Sequence, residues 1–396
     1  MKRGNTMAKT SKQRKITFVN VTSHKGGAGK STISLLLAAE IARTSEPTES
    51  CFSKAPPTRR ITALAPNPPY PTPAFHSAII KNKQRRVFIL DLDFTGTSLT
   101  DFSKMPKPSY SRKYEKSPLF SEEVTITHQW IFGEKLWDLT NLITTPFSSN
   151  WKFQESDFSK YLLTYEAEEK YASPEKTIKC MFSIIPSSVD PKTIEDILLA
   201  EPFANIIKSK VFLLIKLLVS KYPKDDLYFL FDHSPGLFPL AKTFLSETEQ
   251  IVDFLEIKRN GTKPEVKDVF VFTPDLQDII ETYRLIKYFQ DNETKKNAAA
   301  NLPRKIFTLQ NLGVDLKKNL DDTVKKNILR LLDRVDEKIA PPPGISFSCV
   351  PRSDELRLFS IWNTLSGKNP DLEPFPAIPP GIPGIVALAK FVTKAI

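Results

Sequence analysis

A chain of 396 residues that is 40% hydrophobic and 26% charged is ordinary for a soluble protein and can bury a large core. Three widely spaced cysteines, Cys51, Cys180 and Cys349, exclude a disulfide framework and a zinc site and fit a reducing, cytoplasmic setting. The formal net charge of +11 favours polyanions, nucleic acid or an acidic membrane surface, although solvated lysines give the same balance.

Residues 1–15 carry Lys2, Arg3, Lys9, Lys12, Arg14 and Lys15 without apolar periodicity, so a mobile basic arm is expected. This basic start leads into a strand, not a long apolar segment, and no secretory signal is expected. Ile16, Phe18, Val19 and Val21 mark a buried strand. The turn His24-Lys25-Gly26-Gly27-Ala28-Gly29-Lys30-Ser31-Thr32 follows, and then an alanine-rich helix to about Arg43. Strand, glycine turn and helix in this order form the context of a phosphate-binding loop. Glycines let successive N–H groups turn inward towards phosphate oxygens, and the helix adds its positive end. Lys30 would reach the β- and γ-phosphates, and the Ser31 hydroxyl would ligate Mg²⁺.

The pattern G-x-x-x-x-G-K-[ST] is not met, because His24 stands five positions before Gly29. The motif present is K-G-G-x-G-K-[ST], which resembles the deviant Walker A of the ParA/MinD family of P-loop ATPases. The resemblance implies an α/β fold with a mostly parallel sheet covered by helices on both faces. It also implies ATP in a cradle of Gly26, Gly27, Ala28, Gly29, Lys30, Ser31 and Thr32. By the same resemblance Lys25 reaches across a homodimer interface to the second nucleotide.

Thr44 to Lys83 is rich in Pro, Ser and Thr and reads as a surface insertion. Arg85 to Asp93 reads as a strand ending in acids, on the side where open α/β sheets bind ligands. Asp91-Leu92-Asp93-Phe94-Thr95-Gly96 resembles the family's D-x-D-P-Q-G segment, which implies that Asp93 orients the attacking water. Phe94-Thr95 replaces the usual Pro-Gln. Residues 101–179, with Trp130, Trp137 and Trp151, read as a variable elaboration at the sheet edge, with short alternating pieces at Val124–Ile126 and Trp130–Phe132. Met181 to Pro186 is a further strand. A helix is expected from about Lys192 to Ser220, kinked or interrupted at Pro202, with its most apolar stretch, Val211–Val219, too short to span a bilayer.

Asp226 to Asp232 is an apolar run ending in aspartate, the form of a buried parallel strand. With His233-Ser234-Pro235-Gly236 it resembles Walker B and switch II, so Asp232 would hold a Mg²⁺-bound water. His24 and His233 are given local hydrogen-bonding roles. Val269 to Pro274 and Lys305 to Leu309 are strands, with a helix from Leu276 to Phe289 between them. The resemblance places Asn311 at the adenine edge and Pro351, closing the strand Ile345–Pro351, against adenine; Asp354 lies one position beyond the family's usual acid. Leu320, Val324, Ile328, Leu331, Val335 and Ile339 mark an amphipathic helix with a basic outer face. The amphipathic segment Ile385 to Ile396 is expected to dock on the sheet and not to anchor in lipid, so a membrane partner is not expected.

The motif order implies one elaborated P-loop domain over 16–396 behind the basic arm. The reading is a slow ATPase that forms an ATP-dependent sandwich dimer and binds DNA non-specifically. It would be released by a stimulating protein partner in the partition or positioning of DNA or another cargo. The alternative is an ATP-dependent protein-partner switch or scaffold with little turnover. A cluster-bearing reductase of the nitrogenase iron-protein kind needs cysteines in a context that these three do not offer.

Overall fold

The computed structural model describes residues 14–43, 84–94, 99, 109–116, 123–131, 139, 161–172, 175–187, 201–236, 239–254, 263–273, 275–296, 305–313, 346–351 and 377–394. Residues 1–13 of the expected basic arm, the insertion 44–83, Trp137, Trp151, Asp354 and the expected helix over 320–339 lie outside the described residues. Arg14 and Lys15, read as the end of that arm, are part of the fold: Arg14 donates to the Val219 and Tyr222 carbonyls at 3.0 and 2.7 Å, and Lys15 opens the first strand.

Ten strands form one sheet in the order β10-β9-β8-β1-β7-β2-β6-β5-β4-β3. In the chain, β1 (Lys15–Thr22) leads into α1 (Lys30–Arg43), and β2 (Arg85–Leu92) follows. Then come β3 (Tyr110–Tyr114), β4 (Val124–Ile131), β5 (Leu163–Ala172) and β6 (Glu175–Ile185). After them α2 (Glu201–Lys221), β7 (Asp226–His233), α3 (Pro239–Phe254), β8 (Lys263–Phe272) and α4 (Leu276–Lys296) alternate. Last are β9 (Lys305–Gly313), β10 (Ser346–Pro351) and α5 (Pro383–Thr393).

From β10 across to β6 every pair is parallel. Beyond β6 the pairs are antiparallel. The elaboration over 101–179 thus continues the central sheet. The two short pieces expected at 124–126 and 130–132 are one strand, β4, whose alternating burial gives it a core face and an outer face. Gln310 and Asn311, expected to follow β9, lie within it. Pro202 falls in the first turn of α2 as described, where a missing N–H costs nothing, and the part of the expected helix before Glu201 lies outside the described residues.

Side chains alternate between two cores. Val19, Val21, Val87, Ile89, Tyr228 and Leu230 face α1 and α5, whereas Ile16, Phe18, Phe88, Leu90, Phe229 and Phe231 face α2 and α3. Helix α1 is buried on nearly every side, because the sheet lies under it and α5 beside it. On α5, Ile385, Leu388, Ala389 and Val392 are buried. Its C-terminal carbonyls are met by two lysines: Lys267 Nζ donates to Phe391 and Val392 at 2.7 and 2.9 Å, and Lys15 Nζ to Thr393 at 3.1 Å. Among the described residues no helix is long and apolar enough to cross a membrane.

Candidate active site

The C-terminal ends of β1, β7 and β2 lie side by side, with Val21 opposite Asp232 and Asp232 opposite Asp91. The turn 23–29 leaves β1 at this edge. Gly27 and Gly29 adopt φ of +78° and +82°, a region that side chains disfavour, which is why glycine is needed at these two positions. Ala28 between them is buried. The Ile33 N–H donates to the Gly29 carbonyl at 2.9 Å, so Gly29 caps α1. The amides of Lys30, Ser31 and Thr32 then fall in the first turn, which has no intrahelical acceptors and favours an anion.

Lys30 is buried, and its Nζ lies 3.7 Å from Asp93 Oδ2. Asp93 is placed by Asp91, whose Oδ1 accepts the Asp93 N–H at 3.0 Å while its Oδ2 accepts from Ser187 Oγ at 3.2 Å. Asp232 is fully buried; its Oδ1 accepts from Ser34 Oγ at 3.2 Å. Its Oδ2 is buried with no hydrogen-bond partner among the described residues. Burial pushes the Asp232 carboxyl up to about 6, against the pull of Lys30 and of the Ser31 hydroxyl. A buried carboxylate oxygen lacking a donor, beside a serine hydroxyl, suits a hard cation that takes oxygen ligands. Among the described residues no three His, Cys, Asp or Glu side chains converge as a metal cage.

The loop after β7 touches the glycine turn. The Gly236 N–H donates to the Ser23 carbonyl at 2.8 Å with Gly236 at φ +77°, and Ser234 Oγ donates to the Leu92 carbonyl at 3.2 Å. His233 is buried, and burial followed by the nearby Lys30 lowers its pKa to about 3, so it is neutral near pH 7.

Lys30, Ser31, Asp93 and Asp232 are therefore brought together. Lys25 stands apart, 58% exposed, with its Nζ 3.4 Å from Asp275 Oδ2 at the start of α4. Asn311 and Pro351 are placed on β9 and β10, and their side chains lie outside the described residues. Sequence reasoning passed over Ser34, Asp91 and Ser187. Ser34 had a readable signal, since it lies one turn beyond Lys30 on the same helix.

No family model and no curated protein matches the chain. Solved structures similar to it include apo McdA from Cyanothece, 11% identical, with a TM-score of 0.45 over 96% of this chain and 100% of that one. A putative plasmid partition protein from Borrelia burgdorferi bound to AMPPNP is 14% identical, with a TM-score of 0.41 over 96% and 99%. The pNOB8 ParA is 10% identical, with a TM-score of 0.40 over 96% and 100%. The parallel sheet with helices on both faces and a glycine loop between β1 and α1 defines a P-loop type of α/β fold on its own geometry.

Proposed function

We propose that this chain binds ATP with Mg²⁺ and hydrolyses it slowly, as a ParA-like switch that dimerises around two nucleotides. The observation that carries this is the convergence of buried Lys30, Asp93 and Asp232 under a turn whose glycines 27 and 29 hold positive φ. In phosphoryl transfer a protein contributes chiefly positioning and charge stabilisation. When bound, Mg²⁺ supplies neutralisation of the β- and γ-phosphate charge. Ser31 and the orphaned oxygen of Asp232 would hold it, the latter directly or through a bound water.

Lys30 would exchange its ion pair with Asp93 for phosphate oxygens. That exchange leaves the Asp93 carboxylate to accept a proton-bearing water and align it. Lys25, exposed on the monomer, is available to the nucleotide of a second copy. The net charge of +11 supports non-specific DNA as the partner of the ATP-bound dimer, in a partition or positioning role that a stimulating protein would reset. A second reading, a protein-partner switch with little turnover, draws on Phe94. It occupies the place of the family's Pro-Gln and is buried in the α2–α3 core.

Sedimentation of the Asp93→Ala protein with ATP·Mg²⁺ or ADP, with and without duplex DNA, separates these readings. The proposal expects a dimer with ATP only, which co-sediments with DNA and is released steeply by salt. An ATP-only dimer indifferent to DNA would move the weight to the protein-partner switch. A monomer in every state would remove the role given to Lys25.

A further inference from the structure

The face of the sheet under α2 and α3 is apolar along most of its length, through Ile16, Phe18, Phe229 and Val266. At the end nearest the nucleotide loop it turns polar. Asn20 on β1, Asp268 on β8, His233 on β7 and Thr248 on α3 are all buried there. Asn20 and Asp268 are register partners on neighbouring strands. The Asn20 Nδ2 donates to Asp268 Oδ1 at 2.7 Å and to Thr248 Oγ1 at 3.3 Å. Thr248 in turn donates to the Phe244 carbonyl one turn back on α3.

The polarity of this chain of bonds is fixed by chemistry. A carboxylate only accepts, so the amide nitrogen of Asn20 faces Asp268 and its oxygen faces the other way. That oxygen, Oδ1, lies 3.0 Å from His233 Nε2, so His233 must donate from Nε2. The imidazole packs against the Phe231 and Phe244 rings, at centroid distances of 6.2 and 5.9 Å. Four polar side chains in a sheet centre cost more than apolar ones unless each is bonded; each of the four is bonded here, with His233 Nδ1 left buried without a partner among the described residues.

We infer that His233 is a positioning residue for the loop Ser234–Gly236, acting through Asn20 and α3. Successive residues of β7 point to opposite faces. Asp232 is gripped by Ser34 of α1 from one side, and His233 from the other by Asn20, which Thr248 of α3 contacts in turn. The strand end is thus clamped from both layers at the point where the loop begins. From there the Gly236 N–H meets the Ser23 carbonyl at the root of the glycine turn. The inference rests on reading that turn as the phosphate site. It assigns His233 to the geometry of turnover, and not to contact with nucleotide.

The test compares His233→Leu, which fills the space without a donor, with His233→Gln, whose side-chain nitrogen can take the place of Nε2. His233→Phe is the second donor-free variant, should the leucine protein fold poorly. Hydrogen exchange of the Gly236 amide is followed without nucleotide, and ATP turnover is measured beside it. The inference expects Gly236 exchange to rise about tenfold in the donor-free variants, while β1 amides stay protected and the glutamine variant matches wild type. It expects kcat to fall about tenfold with KM changed by less than about threefold, and glutamine to recover most of it. Equal exchange at Gly236 in the leucine, phenylalanine and glutamine proteins would overturn it. A wild-type protein without ATP turnover would count against the phosphate-site reading alone, and the exchange comparison would still decide the role of His233.

Discussion

Arg43, the last residue of α1, shows how much a single side chain can join. Its Nε donates to Glu169 Oε1 on β5 at 2.5 Å, and its guanidinium also reaches the Ile378 carbonyl at 2.7 Å, next to α5. Burial works against the Arg43 charge, yet Glu169 first among its neighbours holds its pKa above the ordinary arginine value. Glu169 is fully buried, so removing its partner strands a charge. Arg43→Met should therefore lower unfolding stability by about 3–5 kcal/mol, and Arg43→Met with Glu169→Leu should recover much of that loss. Chemical denaturation of the three proteins checks this; equal stability of wild type and Arg43→Met would contradict it. None of this was legible in the sequence. A terminal arginine reads there as a favourable charge at a helix end, and its partner lies 126 positions away. The glycine turn between β1 and α1 was legible because its residues are consecutive. The Asn20–His233 pair was not, since 213 positions separate its members.

At the scale of elements, parallel strands buried on both faces announce themselves as apolar runs, and β1, β7 and the second half of β8 were readable for that reason, whereas Lys263 to Asp268, charged at Lys263, Glu265, Lys267 and Asp268, was not read as strand. Strand β5, Leu163–Ala172, was not. Its alternation sets Glu166, Glu168 and Lys170 against Leu163, Tyr165 and Ala167, and in sequence the charges mask the period. The docking of α5 was readable from its apolar spacing, but how close it comes was not. A Cβ on Gly384 would lie 2.2 Å from the Cys349 carbonyl oxygen, and that neighbour is backbone in β10. Gly384→Ala should push α5 off the sheet and cost about 1–3 kcal/mol or more. A thermal melt that leaves Gly384→Ala as stable as wild type would contradict the packing described.

For the whole molecule, buried weak acids, Cys180 and Tyr228 among them, set a limit on the alkaline side. Burial pushes Cys180 and Tyr228 up to about 12 each. In the unfolded chain these groups ionise near about 8.5 and 10. Below that range both states are neutral and nothing changes. As pH rises from there towards 12, only the unfolded state loses protons, so stability falls, by up to about 1.4 kcal/mol per pH unit for each group. Denaturant midpoints at pH 8, 9.5 and 10.5 should fall in that order, and less steeply for Cys180→Ala. A flat profile would contradict the burial of these groups.

The central claim is the phosphate site around Lys30, and calorimetric titration of ATP·Mg²⁺ into the wild-type and Lys30→Ala proteins tests it most directly. With Lys30 buried 3.7 Å from Asp93 beneath the glycine turn, the wild type should bind one nucleotide per chain. The Lys30→Ala protein, folded by circular dichroism, should bind at least about a hundredfold more weakly, as expected when a charged contact to phosphate is lost. Equal affinity in the two proteins, or no binding by the wild type, would contradict the account.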